Sequence, residues 1–256
     1  MANSLKEKLL AGDIQFGMWL ALASPAVAEI AAQSGFDWCV IDSEHGPSSI
    51  PGILDQLRAL AGHDVAPVVR VPVGDDWMIK KVLDLGALSI LVPLVNTGED
   101  ALSVVQAARY PPDGRRGYGA FLARAGGYGA DPGYAARANR DVCVMVQVET
   151  VQALENLEAI ATTDGVDVVF IGPADLAADM GYPGQPNATA VRDAIARANE
   201  RLGQLGVVSG TVEFDPNRVS AQIRAGVGFL GVGGDSLVLG EAMRNLAAFA
   251  RAQLRT

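Results

Sequence analysis

Residues 142–175 read VCVMVQVETVQALENLEAIATTDGVDVVFIGPAD, and this stretch decides the fold. Two short, valine-rich runs, residues 142–148 and 166–171, flank a longer amphipathic segment over residues 150–161. Both runs are apolar almost throughout instead of alternating, which is typical of strands covered on both faces and therefore of a parallel sheet. The stretch predicts a strand, a helix and a second strand parallel to the first.

The same alternation of short apolar runs and amphipathic segments continues in both directions along the chain. The other predicted strands are residues 16–22, 36–41, 66–71, 88–95, 207–212 and 228–232. The other predicted helices are residues 24–33, 49–61, 76–85, 97–108, 188–205, 215–225 and 236–254. Eight such units in 256 residues predict a (β/α)8 TIM barrel forming one domain over residues 1–256. The alternative is a doubly wound open sheet, which is disfavoured because no GxGxxG turn follows a predicted strand.

Composition argues against several classes of partner. The formal net charge is −9, which disfavours nucleic acid or an anionic membrane. No apolar run is long enough to span a bilayer, and residues 1–12 lack the apolar core of a signal peptide, so we expect a cytoplasmic protein. Cys39 and Cys143 lie in apolar runs without metal-ligand spacing and are predicted to be buried free thiols.

Polar and ionisable side chains gather where the predicted strands end, and active sites of such barrels form at the carboxyl ends of strands. Gln147 and Glu149 are two residues apart and therefore share one face of their strand. Arg70 lies between two valines that face the helices, so it points into the barrel. The arginine taken alone, or an acid taken alone, would fit a structural ion pair. Taken together, the residues at these strand ends favour catalysis. The set consists of His45, Arg70, Gln147, Glu149 and Asp175, with Asp42 and Glu44 beside the histidine.

These residue types suit metal-assisted chemistry on a substrate that carries a carboxylate. Glu149 and Asp175 offer the oxygen ligands that Mg²⁺ and Mn²⁺ prefer. Arg70 presents a fixed fork for a carboxylate or an enolate oxygen. His45 is the natural general base, with Asp42 or another acid to orient it. The other histidine of the chain, in a helix-to-strand loop on the opposite face, is interpreted as a solvated loop residue.

Three further segments bear on the site. The backbone N–H groups of residues 172–175 precede a short helix and are predicted to cradle a substrate carboxylate. Residues 109–141, rich in Gly, Tyr and Arg, follow the fourth strand, so we expect a loop, either functional or disordered, on the active-site face. The GVGGDS turn, residues 231–236, suits either phosphate binding or close packing.

The lysines of the chain exclude a Schiff-base mechanism, because none stands at the carboxyl end of a predicted strand. The four lysines are Lys6, Lys8, Lys80 and Lys81.

The segments FDWCVIDSEHGP, APVVRVP, ARYPPDGRRGYG, VQVET and FIGPADL together resemble the HpcH/HpaI aldolase family, and the resemblance covers almost the whole chain. It implies a metal-dependent class II pyruvate aldolase, typified by 4-hydroxy-2-oxoheptanedioate aldolase and by roles in aromatic compound degradation. The implied reaction is reversible cleavage of a 4-hydroxy-2-oxo acid to pyruvate, or a related 2-oxo acid, and an aldehyde, with Mg²⁺, Mn²⁺ or Co²⁺. The implied assembly is a homo-hexamer, a trimer of dimers, with the C-terminal helix exchanged between subunits.

The resemblance also implies residue roles. His45 is similar to the family's base and Arg70 to its transition-state stabiliser, while Glu149 and Asp175 match the metal ligands. Asp84 matches an acid that reaches the histidine from a neighbouring subunit, so Asp42 and Asp84 both stand as candidates to orient His45. The implied contacts to the substrate are Arg70, Gln147, Gly172, Ala174, Asp175 and Val212, the last on the aldehyde side together with the Gly- and Tyr-rich loop.

Two other functions remain open at this point. Oxaloacetate decarboxylation, or another lyase reaction through a metal enolate, would use the same groups. A non-catalytic barrel that binds a 2-oxo acid would need no general base, so the presence of base, arginine and metal ligands together disfavours it.

Overall fold

The computed structural model of the protein describes residues 3–255, without the side chain of Arg255. Eight parallel strands pair in chain order and the last pairs with the first, which closes a barrel. The strands are β1 (Gln15–Leu20), β2 (Trp38–Asp42), β3 (Ala66–Arg70), β4 (Ser89–Val92), β5 (Cys143–Val148), β6 (Val168–Ile171), β7 (Val208–Val212) and β8 (Phe229–Gly234). The predicted (β/α)8 barrel is confirmed, and the open sheet is excluded.

Helices cover the outside of the barrel and one of its ends. They are α1 (Ser4–Leu10), α2 (Pro25–Ala32), α3 (Ile50–Leu60), α4 (Asp76–Asp84), α5 (Gly98–Ala108), α6 (Tyr134–Asp141), α7 (Val151–Glu155), α8 (Leu157–Ala161), α9 (Pro173–Asp179), α10 (Thr189–Leu205), α11 (Val219–Arg224) and α12 (Asp235–Ala252). Short 3-10 turns span Arg124–Gly129 and Gln253–Arg255. Over residues 3–255, no helix has the length and hydropathy needed to cross a bilayer.

Aromatic packing fills the barrel interior. Trp38 stacks on Phe229 with ring centroids 3.8 Å apart and an interplanar angle of 11°. A Cβ on Gly17 would lie 1.9 Å from the Trp38 ring, so only glycine fits at this point of β1. Leu5 and Leu9 of α1 join the same apolar cluster. Helix α1, which the sequence patterns did not predict, therefore closes the barrel at the amino ends of the strands.

A second apolar layer lies between the strands and the outer helices. Val69 and Val71 belong to it, so Arg70 points to the inside of the barrel, as the alternation along the strand predicts. Cys39 and Cys143 are buried and free, also as predicted. Burial raises the pKa of the Cys39 thiol to about 12, which keeps it protonated and unreactive.

The long segment 109–141 lies at the opposite end of the barrel from the one we expected. It follows α5, which returns the chain to the amino ends of the strands, and it leads directly into β5. The prediction of a loop on the active-site face is therefore wrong, because the helix after β4 intervenes. The segment is also partly ordered into helix α6.

Two predicted helices differ from the structure in extent. The helix expected over 150–161 is two short helices, α7 and α8, that meet at Asn156. The helix expected over 215–225 is reduced to α11. Loops take up the difference, and both changes lie on the outer layer of the barrel.

Helix α12 extends away from the barrel that precedes it. Asp235, its first residue, is the one buried side chain in the described part of this helix. One face of the helix carries a row of exposed apolar side chains: Val238, Leu239, Met243, Leu246 and Phe249. Within a single chain, this face is left without a covering layer.

Candidate active site

Arg70 and Asp42 form a buried pair at the carboxyl ends of β2 and β3. The two residues are register partners in the sheet. The guanidinium binds both carboxylate oxygens, with Nε–Oδ1 at 3.0 Å and Nη2–Oδ2 at 2.7 Å. Nη1 of Arg70 lies 2.8 Å from Oε2 of Glu44, an ion pair whose angles are not those of a hydrogen bond. The guanidinium is thus fixed by two acids at the barrel mouth.

His45 stands in the turn after β2 with its imidazole largely exposed. Oδ1 of Asp42 accepts hydrogen bonds from the backbone N–H groups of Glu44 and His45, which shapes this turn. The carboxylate nearest to the ring is Glu44, with Oε2 4.0 Å from Nε2. Asp42 is therefore engaged by Arg70 and by the turn, and no hydrogen bond orients the His45 ring within the described residues.

Glu149 lies buried beneath the barrel mouth at the end of β5. Its Oε1 accepts from the backbone N–H of Leu94 at 2.8 Å, and its Oε2 accepts from the side-chain amide of Gln147 at 2.9 Å. Burial raises the pKa of Glu149 to about 7, and the negative charges of Asp175 and Glu44 act in the same direction. A group of acids crowded in this way favours a cation.

The turn between β6 and α9 carries Asp175 in its first helical turn. The N–H of Gly172 donates to the carbonyl of Val148 at 3.2 Å, and Pro173 has no N–H. The amides left to receive a substrate carboxylate are thus those of Ala174 and Asp175. The amide cradle predicted over residues 172–175 is accordingly smaller, and Gly172 does not donate to it.

Val212 and Ala174 border a cavity of about 400 Å³ next to the mouth. The cavity lies between α10, α11 and the end of β7. Its lining also includes Asn187, Asn199, Phe214 and Arg218. This is open space beside the predicted aldehyde side of the site.

Asp84 does not join the other predicted site residues within one chain. It is the last residue of α4, so it lies at the amino ends of the strands, whereas His45 lies at the carboxyl ends. The Asp84 carboxylate accepts a hydrogen bond from Arg116 at 2.7 Å. Asp84 can therefore approach a His45 ring only across a contact between two chains.

Two residues that support the mouth were missed by the sequence patterns. Asp235, in the GVGGDS turn, accepts from the N–H groups of Ala21 and Leu22 at 2.9 and 3.1 Å. Its Oδ1 also accepts from the N–H of Ser236 in the same turn at 2.7 Å, which favours the packing interpretation of that turn. Leu94, which donates to Glu149, has a left-handed backbone with φ of 55°. Strain of this kind is concentrated at functional sites, and nothing in the sequence signals it at a leucine.

Comparisons with known proteins show the family to which the chain belongs. Residues 15–242 match the model of the HpcH/HpaI aldolase/citrate lyase family. The chain is 48% identical over 248 residues to the hydroxypyruvate/pyruvate aldolase of Deinococcus radiodurans, covering 97% of this chain and 90% of that one. It is 44% identical over 250 residues to the 2-keto-3-deoxy-L-rhamnonate aldolase of Klebsiella pneumoniae, covering 97% and 94%.

The fold comparison gives the same result. The crystal structure of an HpcH/HpaI aldolase/citrate lyase family protein from Burkholderia cenocepacia superimposes with a TM-score of 0.94 at 38% identity, covering 97% of this chain and 99% of that one. The chain therefore belongs to the HpcH/HpaI aldolase/citrate lyase family and is a carbon–carbon lyase.

Proposed function

We propose that this lyase catalyses the reversible, divalent-metal-dependent aldol cleavage of 4-hydroxy-2-oxo acids to pyruvate, or a related 2-oxo acid, and an aldehyde. The observation that carries the proposal is the buried Arg70, held by Asp42 and Glu44 at the same end of the barrel as Glu149. Relatives named for hydroxypyruvate and pyruvate support these two 2-oxo acids as the first substrates to test together with an aldehyde.

Glu149 and Asp175 are the residues that would hold the cation. The donor chemistry fits, because Glu149 is buried among other carboxylates that raise its pKa, and a divalent cation would offset that repulsion. In residues 3–255, no group of three or more His, Cys, Asp or Glu is arranged to hold a metal, so water and substrate would supply the remaining ligands. When bound, Mg²⁺ or Mn²⁺, or Co²⁺, would polarise the 2-oxo group as a Lewis acid.

The residues of the chain supply the rest of the mechanism. Arg70 binds the oxygen on which negative charge develops as the C3–C4 bond breaks, and this stabilises the pyruvate enolate. The free amides of Ala174 and Asp175 receive the substrate carboxylate, and the Gln147 amide lies beside it. His45, exposed at the mouth, accepts the proton of the 4-hydroxyl group, directly or through water. The electron pair of the broken bond remains on the enolate, which is then protonated to pyruvate while the aldehyde leaves.

The acid that orients His45 comes, we propose, from a second copy of the chain. Asp42 is engaged by Arg70 and by the turn, and Asp84 lies at the far end of its own barrel. A homo-oligomer in which Asp84 approaches the His45 of a neighbour would complete the site. The exposed apolar face of α12 supports such an oligomer, by exchange of this helix between subunits in a hexamer built as a trimer of dimers.

The test is one assay with several arms. The protein is incubated with pyruvate or hydroxypyruvate and a panel of aldehydes, with Mg²⁺ or Mn²⁺ and then after chelation. We expect adducts that require the cation. Adduct formation that survives thorough chelation would overturn the metal mechanism, and oxaloacetate decarboxylation without aldol activity would favour the alternative lyase. The cavity beside Val212 predicts that the choice of aldehyde changes with Val212→Phe more than the choice of 2-oxo acid does.

A further inference from the structure

Arg116 is a buried cation at the amino ends of the strands, outside the barrel mouth. Its Nη2 donates to Oδ1 of Asp84 at 2.7 Å and contacts the hydroxyl of Tyr134 at 3.2 Å. The guanidinium lies over the ring of Tyr110, with 4.4 Å between Cζ and the ring centroid. Arg116 is 3% exposed, so this is an interior anchor and not a surface ion pair.

The anchor binds one oxygen of Asp84 and leaves the other available. Oδ2 makes no hydrogen bond to any residue in the described part of the chain, and the side chain of Asp84 keeps 25% exposure. Burying a guanidinium costs free energy, which the ion pair and the aromatic contact offset. Asp84 itself is part-exposed and gains little stability from the pair. The pair also restricts the direction of Oδ2, because it holds Oδ1 in place.

The surface around Asp84 has the character of an interface. The neighbouring 118–128 segment carries four large exposed side chains: Tyr118, Phe121, Leu122 and Tyr128. The segment approaches Asp84 at Gly119, where an added Cβ would lie 3.9 Å from Oδ2. Arg124 of the same segment donates to the carbonyl of Leu85, next to Asp84, at 2.8 Å. A fixed carboxylate next to a segment with exposed aromatic and aliphatic side chains is suited to contact another protein surface.

The matching group on a second copy is His45. Its imidazole is 66% exposed and has no hydrogen-bonded carboxylate within its own chain. Because Asp84 and His45 lie at opposite ends of one barrel, their contact joins the amino end of one barrel to the mouth of the next. A head-to-tail contact of this kind closes into a ring when its rotation permits.

We propose that Arg116 is a positioning residue: it fixes the Asp84 carboxylate so that Oδ2 accepts a hydrogen bond from His45 of a second copy of the chain. This inference rests on the proposed function, in which His45 is the base. Arg116 touches neither substrate nor reacting atoms and acts only through Asp84. Tyr110 and Tyr134 hold its guanidinium in place.

The chain contains a matched control for this anchor. Arg115, the preceding residue, binds Asp76 at the first turn of α4 with Nε–Oδ2 at 2.7 Å, whereas Arg116 binds Asp84 at the last turn. The Arg115 pair is exposed, and both of its members have side chains at least 40% accessible. Arg115→Met therefore removes an arginine–aspartate pair from the same helix and loop without affecting Asp84.

The experiment compares Arg116→Met, Asp84→Asn, the double variant and Arg115→Met in the full-length oligomer. We expect Asp84→Asn to lower kcat by about 10²-fold, within the range for loss of general base catalysis. Arg116→Met should lower kcat by about tenfold or more with little change in KM, and the double variant should equal Asp84→Asn alone because the two residues act as a unit. Arg115→Met should retain kcat within about twofold.

A second readout does not depend on activity. In a His63→Gln background, His45 is the one histidine left, since the chain has two, and its titration can be followed by NMR. A nearby carboxylate favours the charged imidazole, so both Asp84→Asn and Arg116→Met should lower the pKa of His45, while Arg115→Met should not. Arg116→Lys should restore part of the shift. If Arg116→Met does not fold, Tyr134→Phe, which removes one contact to the guanidinium, is expected to give a smaller shift in the same direction.

The outcomes separate this inference from the proposed function. A wild-type protein without aldol activity would overturn the function, while the NMR titration would still report on the anchor. A second outcome is loss of activity in Asp84→Asn while Arg116→Met keeps the wild-type kcat and the wild-type pKa of His45. This outcome would overturn the role of Arg116 and leave that of Asp84 in place. Multiplicative losses of kcat in the double variant would show that Arg116 affects kcat independently of Asp84, and would also overturn the inference.

Discussion

The two histidines of this chain provide a direct test of which one is catalytic. His45 stands at the carboxyl end of β2, and His63 lies in the loop between α3 and β3 at the other end of the barrel. His45→Gln should lower kcat by about 10² to 10⁴-fold, because a general base contributes rate acceleration of that order. Its Tm should stay near that of wild type, since the side chain is 66% exposed. Equal steady-state rates in His45→Gln and His63→Gln would contradict the assignment.

Glu149 should make stability depend on pH once the cation is removed. Its pKa is raised from 4.5 to about 7 in the folded protein, so the ionised carboxylate destabilises the folded state above pH 7. The free energy of unfolding therefore rises as the pH falls through 7 and the carboxylate takes up a proton. In chelator-treated protein, Glu149→Gln should therefore raise Tm at pH 8 and much less at pH 5.5. Between the two pH values, the stabilisation by Glu149→Gln should differ by about 2 kcal/mol, or roughly 5 °C in Tm for a chain of this size.

Differential scanning calorimetry of the two proteins at the two pH values checks the Glu149 prediction. Addition of Mg²⁺ or Mn²⁺ should raise the Tm of wild type at pH 8 and leave that of Glu149→Gln nearly unchanged. A Tm difference between the two proteins that does not vary with pH would show that the buried carboxylate is neutralised in another way.

At the scale of the elements, the turn between β6 and α9 depends on a glycine. A Cβ on Gly172 would lie 2.4 Å from Oε2 of Glu149, so Gly172→Ala must displace the carboxylate proposed to bind the cation. We expect a raised metal requirement and a lower kcat. Gly203→Ala, within α10, is the control, because no atom lies within 4 Å of the added Cβ. It should be neutral or stabilise the protein by up to about 1 kcal/mol. A metal titration of activity for both variants provides the measurement.

The strands and the polar groups at their ends could be predicted from sequence because both signals are local. Buried parallel strands are continuously apolar, and residues two apart share a face, so the pairing of Gln147 with Glu149 follows from their spacing. The inward direction of Arg70 follows from the valines on both sides. That Asp42 binds Arg70 instead of orienting His45 depends on register between two strands, and a single strand does not reveal it.

The features that could not be predicted depend on contacts between distant parts of the chain. Helix α1 is placed by Leu5 and Leu9 entering the base of an aromatic cluster, which its short charged sequence does not signal. The left-handed Leu94 donates its N–H to Glu149, which is 55 residues away in the chain. The prediction that residues 109–141 lie on the active-site face is wrong for a topological reason. In a barrel of this type, each helix returns the chain to the opposite end before the next strand begins.

At the scale of the whole molecule, the exposed apolar face of α12 indicates a contact with a second copy of the chain, and the proposed site needs such a contact. Leu239, Met243, Leu246 and Phe249 fall on one side of α12 at helical spacing, and all are exposed in the single chain. Such a row rarely stays in contact with water, because burial of each side chain yields roughly 1.5–3 kcal/mol. We therefore expect the face to be covered by a second copy, as proposed for the exchanged helix.

Leu246→Glu combined with Phe249→Glu should disrupt this contact, while Ala248→Glu, on the opposite side of the same helix, should not. Light scattering coupled to gel filtration is expected to give a wild-type mass for Ala248→Glu and a smaller species for the double variant. Because Asp84 is proposed to come from a neighbour, the smaller species should also lose activity to about the level of Asp84→Asn, although its barrel remains folded by circular dichroism. A dissociated protein with full kcat would show that one chain is a complete enzyme, and would remove the requirement for Asp84 of a second copy.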